Sequence, residues 1–265
     1  MLPIAPNYTL IEAAITECAY AGCDTIWVVC NDDIAPIVRH TVGDYIEDPM
    51  YFYNSKTRTS DTRRRIPIFW VPIHPKDRDK RDCLSWSVLH GALSALKVSS
   101  QISKWTIPDK YYVSFPYGYF IPDQIWKSRK VIKSNKNFYI SSNGKTVQDN
   151  IYTSFTFGKE GFVKFRRNVR KGTGVYTTDV VDSRGIPRSK MPLEQRWSAR
   201  FFELNQVFKD LELDASNVLE VEYANIGSWP EYIEFMRSKI VDNLKRPPKE
   251  LYSYKEFNPV AKDVD

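Results

Sequence analysis

The chain has 265 residues, of which 42% are hydrophobic, 26% charged and 14% aromatic, and it carries a net charge of +6. That length holds one large domain or two small ones, and the supply of Leu, Ile, Val and Phe excludes disorder of the whole chain. No apolar run reaches the roughly 20 residues of a membrane-spanning helix, and Met1-Leu-Pro-Ile-Ala-Pro6 does not read as a secretory signal, so no membrane partner is expected.

Thr9-Leu-Ile-Glu12 has the form of a capping box, and Leu10, Ile11, Ala14, Ile15 and Cys18 recur at helical spacing up to a stop at Gly22. Asp24 to Cys30 is a β-branched run suited to a buried parallel strand. Asn31-Asp32-Asp33 offers cap oxygens for a second helix through Ile34, Ile37 and Val38. Helix, strand, helix is α/β alternation. Residues 47 to 65 are polar and end in Arg63-Arg64-Arg65. Ile66 to Ile73 is a strand that Pro67 and Pro72 make short or place at an edge. His74 to Asp82 is a charged loop, Leu84 to Leu96 a helix, and Lys110 to Phe115 a third buried strand, followed by turn residues Gly118 and Pro122.

Beyond Trp126, alternating pairs (Phe138 and Ile140, Phe155 and Phe157, Val163 and Phe165) predict antiparallel strands with one wet face. Residues 166 to 196 read as basic loops. A helix at Ala199 to Leu211, a strand at Val218 to Tyr223 and a helix at Pro230 to Val241 follow, and no internal repeat is visible. Residues 1–245 are expected to form a single domain. Within it, 1–128 is a Rossmann-like half and 129–245 an antiparallel sheet with C-terminal helices; 246–265 is an extended tail. Cys18, Cys23, Cys30 and Cys83 lack the spacing of a zinc site or a disulfide framework, and as free thiols they fit a reducing, cytoplasmic setting.

Two blocks carry a resemblance. Met1-Leu-Pro-Ile-Ala-Pro-Asn-Tyr-Thr-Leu-Ile-Glu12, with the Ala21–Asp24 turn and the Ile26–Cys30 strand, resembles the early segment of the sugar-phosphate nucleotidyltransferases. Tyr223-Ala-Asn-Ile-Gly-Ser-Trp-Pro-Glu-Tyr-Ile-Glu234 resembles that family's late block, and Gly174-Val175-Tyr176 sits where the family has "G-I-Y-V-F". The resemblance implies an α/β fold with a Rossmann-like mixed sheet flanked by helices, of the glycosyltransferase-A type, and an antiparallel β insertion. It also implies transfer of a nucleotide to a sugar 1-phosphate with release of pyrophosphate, assisted by Mg²⁺.

The chemical positions depart from the family. Tyr117 stands where the resemblance puts one metal-binding Asp, and Asn225 where it puts the other. The family's Gly-rich phosphate loop and first strand would lie ahead of Met1. Asn7 replaces a usual Lys, and the base-recognising glycine turn falls near Ser85, where no glycine remains. A phosphate-binding Lys maps to Asn168. The expectation is therefore a degenerate nucleotidyltransferase-like protein serving as a binding or assembly subunit, with no cofactor and no metal. An active transferase, or a nucleotide-sugar glycosyltransferase, would need Mg²⁺ and substitute carboxylates, with Asp32, Asp33 and Asp123 as the candidates.

Candidate nucleotide- or sugar-binding residues are Asp32, Ser85, Tyr117, Gly118, Gly174 and Asn225. Asp32 follows a strand end, where α/β proteins seat ligands, although helix capping is the stronger reading of it. Tyr117 and Tyr119 could stack on a base or sugar, or fill the space of a lost substrate. Candidate anion-binding residues are Arg63, Arg64, Arg65, Arg166 and Arg167, whose forked donors match phosphate oxygens. His90 lies in an apolar helical pattern and reads as structural. A protein partner, a homo-oligomer, a nucleotide or a nucleotide-sugar all fit; nucleic-acid binding, from basic residues interleaved with aromatics, ranks below them.

Overall fold

A computed structural model describes residues 1–49, 64–73, 83–102, 107–178, 203–242, 244 and 246, with backbone alone at 123 and 171–178. Arg63, the 74–82 loop with His74, residues 179–202 and the tail from 247 lie outside the described residues.

The chain opens with a short hairpin, β1 (Pro3–Ala5) and β2 (Tyr8–Thr9), leading into helix α1 (Leu10–Ala21). The capping box forms as expected: Thr9 N–H donates to Glu12 Oε2 at 3.0 Å, and Glu12 N–H returns a contact to Thr9 Oγ1. Gly22 ends the helix in the left-handed region at φ 84°. Strand β3 (Ile26–Cys30), helix α2 (Ala35–Val42), strand β4 (Tyr45–Glu47) and strand β5 (Arg65–Pro72) then build a three-stranded sheet in the order β3-β5-β4. Ile34, rather than an Asn31–Asp33 side chain, takes the N-cap position of α2.

Strand β5 is central, not at an edge: it pairs parallel with β3 and antiparallel with β4. The prolines are accommodated by phase. Ile68 N–H donates to Asp44 C=O and Asp48 N–H to Arg64 C=O, so even-numbered residues of β5 bond β4. The Pro67 nitrogen therefore points toward β3 just ahead of the first paired residues, Ile26 and Ile68, and the Pro72 nitrogen points past the end of β4.

One face of this sheet packs Ile26, Val28, Ile66 and Ile68 against Ile15 and Ala19 of α1 and Val38 and Val42 of α2. The other face meets helix α3 (Leu84–Lys97) so closely that a Cβ at Gly91 would lie 2.8 Å from Val29 Cγ2. Helices on both faces of a partly parallel sheet give the Rossmann-like half.

The second sheet runs β10-β8-β9-β6, from strands β6 (Lys110–Val113), β8 (Tyr139–Ser141), β9 (Phe155–Gly158) and β10 (Val218–Glu220). Strand β10 is parallel to β8 and the other pairs are antiparallel. Strand β6 is thus an edge strand here instead of the third strand of the first sheet. The predicted wet face is absent, because both faces are covered. Phe138 and Ile140 enter a core with Ala21, Ile125 and Ile132, whereas Tyr139, Phe155 and Phe157 face the largest core. This explains why Tyr139 is out of phase with its neighbours.

Val163 and Phe165 are not in a strand. They belong to helix α5 (Lys159–Thr178), which also replaces the loop expected from 166 and includes Gly174. The short helix α4 (Arg129–Ile132) precedes β8, and helix α6 (Leu204–Phe208) follows the undescribed segment. Phe165 and Val169, one turn apart on α5, are fully buried with Phe208. Phe208 lies 4.9 Å from Phe155 and 5.1 Å from Phe165 between ring centroids, and Phe157 lies 5.5 Å from Phe165. Much of the high aromatic content is therefore core.

A third pair, β7 (Gly118–Tyr119) with β11 (Ala224–Asn225), is followed by helices α7 (Trp229–Met236) and α8 (Lys239–Asp242), where one helix was expected. No helix among the described residues is long and apolar enough to cross a membrane.

Arg129 fastens α1 to the sheet region. Its guanidinium donates to the carbonyls of Ala19 and Tyr20 and to Asp48 Oδ1, each at 2.6 Å. Asp48 is 1% exposed at its side chain, and Arg129 is nearer to it than Arg64 at 3.5 Å, so removing Arg129 takes the closer cation from a buried charge. Arg129→Ala is expected to cost on the order of 3–5 kcal/mol in urea unfolding. Lys136→Ala, which breaks the exposed pair with Asp214, should cost about 1 kcal/mol or less. Equal losses for the two variants would contradict the burial argument.

Candidate functional site

The β7–β11 ladder brings together the two positions that the sequence resemblance singles out. Asn225 pairs with Gly118, and Ile226 N–H donates to Tyr117 C=O at 2.7 Å. Residues 117 and 225, more than a hundred positions apart in sequence, thus come within one residue of each other across the ladder, offset and not directly opposed. Gly118 is required there: a Cβ would lie 1.8 Å from Tyr223 Oη. Gly227 plays the same part for Tyr152, whose ring atom would lie 2.7 Å from an added Cβ.

Aromatic rings occupy this place. Tyr117 and Tyr152 are 5.0 Å apart between centroids, and Tyr152 meets Phe115 edge-on at 6.1 Å. Tyr223 donates its hydroxyl to the carbonyl of Tyr152 at 3.0 Å. Tyr117 is still 39% exposed, so one side of the stack faces solvent.

The oxygens here do not suit Mg²⁺, which asks for carboxylates in near-octahedral array. Burial pushes the Tyr117 phenol above its ordinary pKa, further from the phenolate that would bind a cation. Asn225 Nδ2 donates to Glu231 Oε1 at 2.5 Å, and Ser228 Oγ donates to Glu231 Oε2 at 2.7 Å. Each oxygen of the carboxylate at the site thus accepts one hydrogen bond, and beside it stands the buried, neutral amide oxygen of Asn225. Among the described residues, no group of three or more His, Cys, Asp or Glu is placed to hold a metal ion.

Behind the aromatic stack lies a buried carboxylate that the sequence reading did not single out. Glu17 of α1 accepts hydrogen bonds from Tyr112 Oη at 2.6 Å, from Ser114 Oγ at 2.7 Å and from Ser154 Oγ. Desolvation raises its pKa to about 7, against the opposing pull of those three hydroxyls. Its charge also helps to raise the Tyr223 phenol, after burial itself. The sequence held a clue: Leu10, Ala14, Glu17 and Ala21 fall on one helical stripe, so a carboxylate interrupts an apolar face.

The remaining candidates lie elsewhere. Asp32 stands in the turn after β3, and Ser85 is fully buried on α3, where its hydroxyl finds no hydrogen-bond partner. Gly174 lies within α5, not on a strand, and Asp123 lies in the 3₁₀ turn Pro122–Ser128. The basic residues are dispersed. Arg64 pairs with Asp24 and with Asp48, and Arg65 lies over the Tyr45 ring at 4.5 Å. Arg166 and Arg167 are on α5, where they line a shallow depression with Phe162, Val163 and Arg170. Asn168 of the same helix donates to Val207 C=O at 3.0 Å and to Asp210 at 2.8 Å, tying α5 to the α6 region. His90 Nε2 lies 3.1 Å from Pro72 C=O, in keeping with a structural role.

The raised pKa of Glu17 makes a prediction about stability. Its folded value lies above the ordinary carboxyl value of 4.5, so its contribution is fully present below about pH 4.5 and is lost as pH rises through about 7. Glu17→Gln keeps the shape without the charge. Between pH 5 and pH 8 the wild type should lose on the order of 3 kcal/mol relative to this variant in urea unfolding. Parallel pH profiles for the two proteins would refute it.

A solved structure described as a glucose-1-phosphate thymidylyltransferase from Bacillus anthracis, determined with a sucrose, is similar to this chain in fold. The likeness covers 94% of this chain and 88% of that one, with a TM-score of 0.50 and 7% sequence identity. No family model and no curated protein matches the sequence. The chain thus has a nucleotidyltransferase-like α/β fold, and the likeness reaches no further than the fold.

Proposed function

We propose that this protein is a nucleotidyltransferase-like binding or assembly subunit in which the transfer chemistry has been given up. The observation that carries this reading is the β7–β11 ladder, where Asn225 faces Gly118 and Ile226 N–H donates to Tyr117 C=O, so that residues 117 and 225 are close neighbours. Joining a sugar phosphate to a nucleoside triphosphate brings anions together and needs dense positive charge, normally a carboxylate-held divalent ion. Here a phenol and an amide stand at the two carboxylate positions. The neighbouring carboxylate, Glu231, is occupied by Asn225 and Ser228. The Tyr117–Tyr152 contact continues inward to Phe115, which supports ring packing into vacated substrate space.

A binding role has a surface available beside this crevice. Trp229, Ile233 and Met236 are exposed at i, i+4 and i+7 on α7, while Phe235 of the same helix is buried. An exposed apolar stripe of that spacing is what a helix presents to a protein partner.

The reading predicts no pyrophosphate release above background when the protein is incubated with Mg²⁺, a panel of nucleoside triphosphates and a panel of sugar 1-phosphates. Turnover that survives repurification and is abolished by Asp123→Ala or Glu231→Gln would overturn it in favour of an active transferase with substitute carboxylates.

A further inference from the structure

We propose that Cys18 and Cys23 are a redox-active pair that closes into a reversible intramolecular disulfide at the end of the first helix. The geometry comes from how α1 stops. Gly22 takes the left-handed conformation, its N–H bonds back to Ala19 C=O at 3.1 Å, and Cys23 N–H bonds to Cys18 C=O at 3.2 Å. The last of these is the six-to-one bond of a Schellman ending. Such an ending folds the residue just past the glycine onto the residue one turn earlier, so their side chains meet. In most helices that contact is between two apolar groups. In this chain both positions are cysteine, Cys18 one turn before the helix end and Cys23 just past Gly22.

The surroundings favour a labile bond. Both residues are half-buried, not sealed in the core. Cys18 packs at the margin of the core formed by α1, α2 and the first sheet, and Cys23 at the margin of the core under the second sheet. A bond between them would fix the junction of two cores at the point where Arg129 also grips the helix end. The other two thiols are placed differently: Cys83 accepts from Trp86 N–H as the N-cap of α3, and Cys30 ends β3. The neighbouring Cys23 thiol, together with burial, raises the Cys18 pKa, so oxidation should quicken at alkaline pH as thiolate forms.

The step balances with a small-molecule disulfide as oxidant. One cysteine thiolate attacks the small disulfide, releases one small thiol and leaves a mixed disulfide. The second thiolate attacks the protein sulfur of that bond and releases the second small thiol. Two protein thiols are oxidised and one disulfide is reduced to two thiols.

The test uses the full chain and oxidised glutathione at pH 8.5, followed by alkylation of free thiols and peptide mass analysis. The expected result is a 2-Da loss confined to the peptide holding residues 18 and 23, reversed by dithiothreitol, with Cys30 and Cys83 still alkylated. Cys18→Ser and Cys23→Ser should each stop at the glutathione adduct on the remaining cysteine. Four alkylated thiols in the treated wild type, a wild type that halts at the mixed disulfide, or a crosslink through Cys30 or Cys83 would each overturn the proposal.

Discussion

A single carboxylate inside the first helix governs how the two halves of the fold meet. Glu17 cannot reach water, so its oxygens must be satisfied from within. The three hydroxyls that do so come from Tyr112 on the second sheet, Ser114 just beyond it and Ser154 at the entry to β9. Hydrophobic contact alone would hold α1 against that sheet in several registers. The hydrogen-bonded carboxylate admits one, and with it the path of the chain from Val113 to Tyr117 is set. Arg129 fixes the end of the same helix against Asp48, so α1 is held at its middle and its C-terminus by polar contacts and along its flank by Ile15 and Ala19.

The crevice follows from that placement. Once β6 is held, Tyr117 and Gly118 reach β11, and Tyr223 fits over Gly118 because that position has no side chain. Aromatic rings and the Asn225 amide stand there, with Glu231 held beside them by Asn225 and Ser228. Four of the described basic residues lie away from the crevice. Arg64 and Arg129 are committed to aspartates, and Arg166 and Arg167 sit on α5, a different part of the molecule.

Much of this was legible in the sequence where local chemistry decides. The capping box at Thr9, the glycine stop at Gly22, the parallel strand at Ile26–Cys30 and the helix from Leu84 all follow from residue type and spacing. Positions 117 and 225 were singled out only through the family resemblance; that they lie close together on β7 and β11 is a property of tertiary structure. The errors came where two periods compete. Val163 and Phe165 alternate as a strand would, yet Phe162, Phe165 and Val169 also repeat as a helix would, and burial beside Phe208 favoured the helix. Pro67 and Pro72 suggested an edge because a sequence does not show which side of a strand a nitrogen faces. Glu17 and Glu231 were missed because the partners that define them come from distant segments or from an unremarkable Ser-x-x-Glu spacing.

The central claim is that the crevice no longer offers a seat for a divalent ion. Its most direct test is Mn²⁺ binding followed by electron paramagnetic resonance, comparing the wild type with Tyr117→Asp/Asn225→Asp. The account predicts that the wild type leaves the free-ion signal undiminished at concentrations where the double variant attenuates it. Attenuation by the wild type that Asn225→Ala abolishes would contradict it.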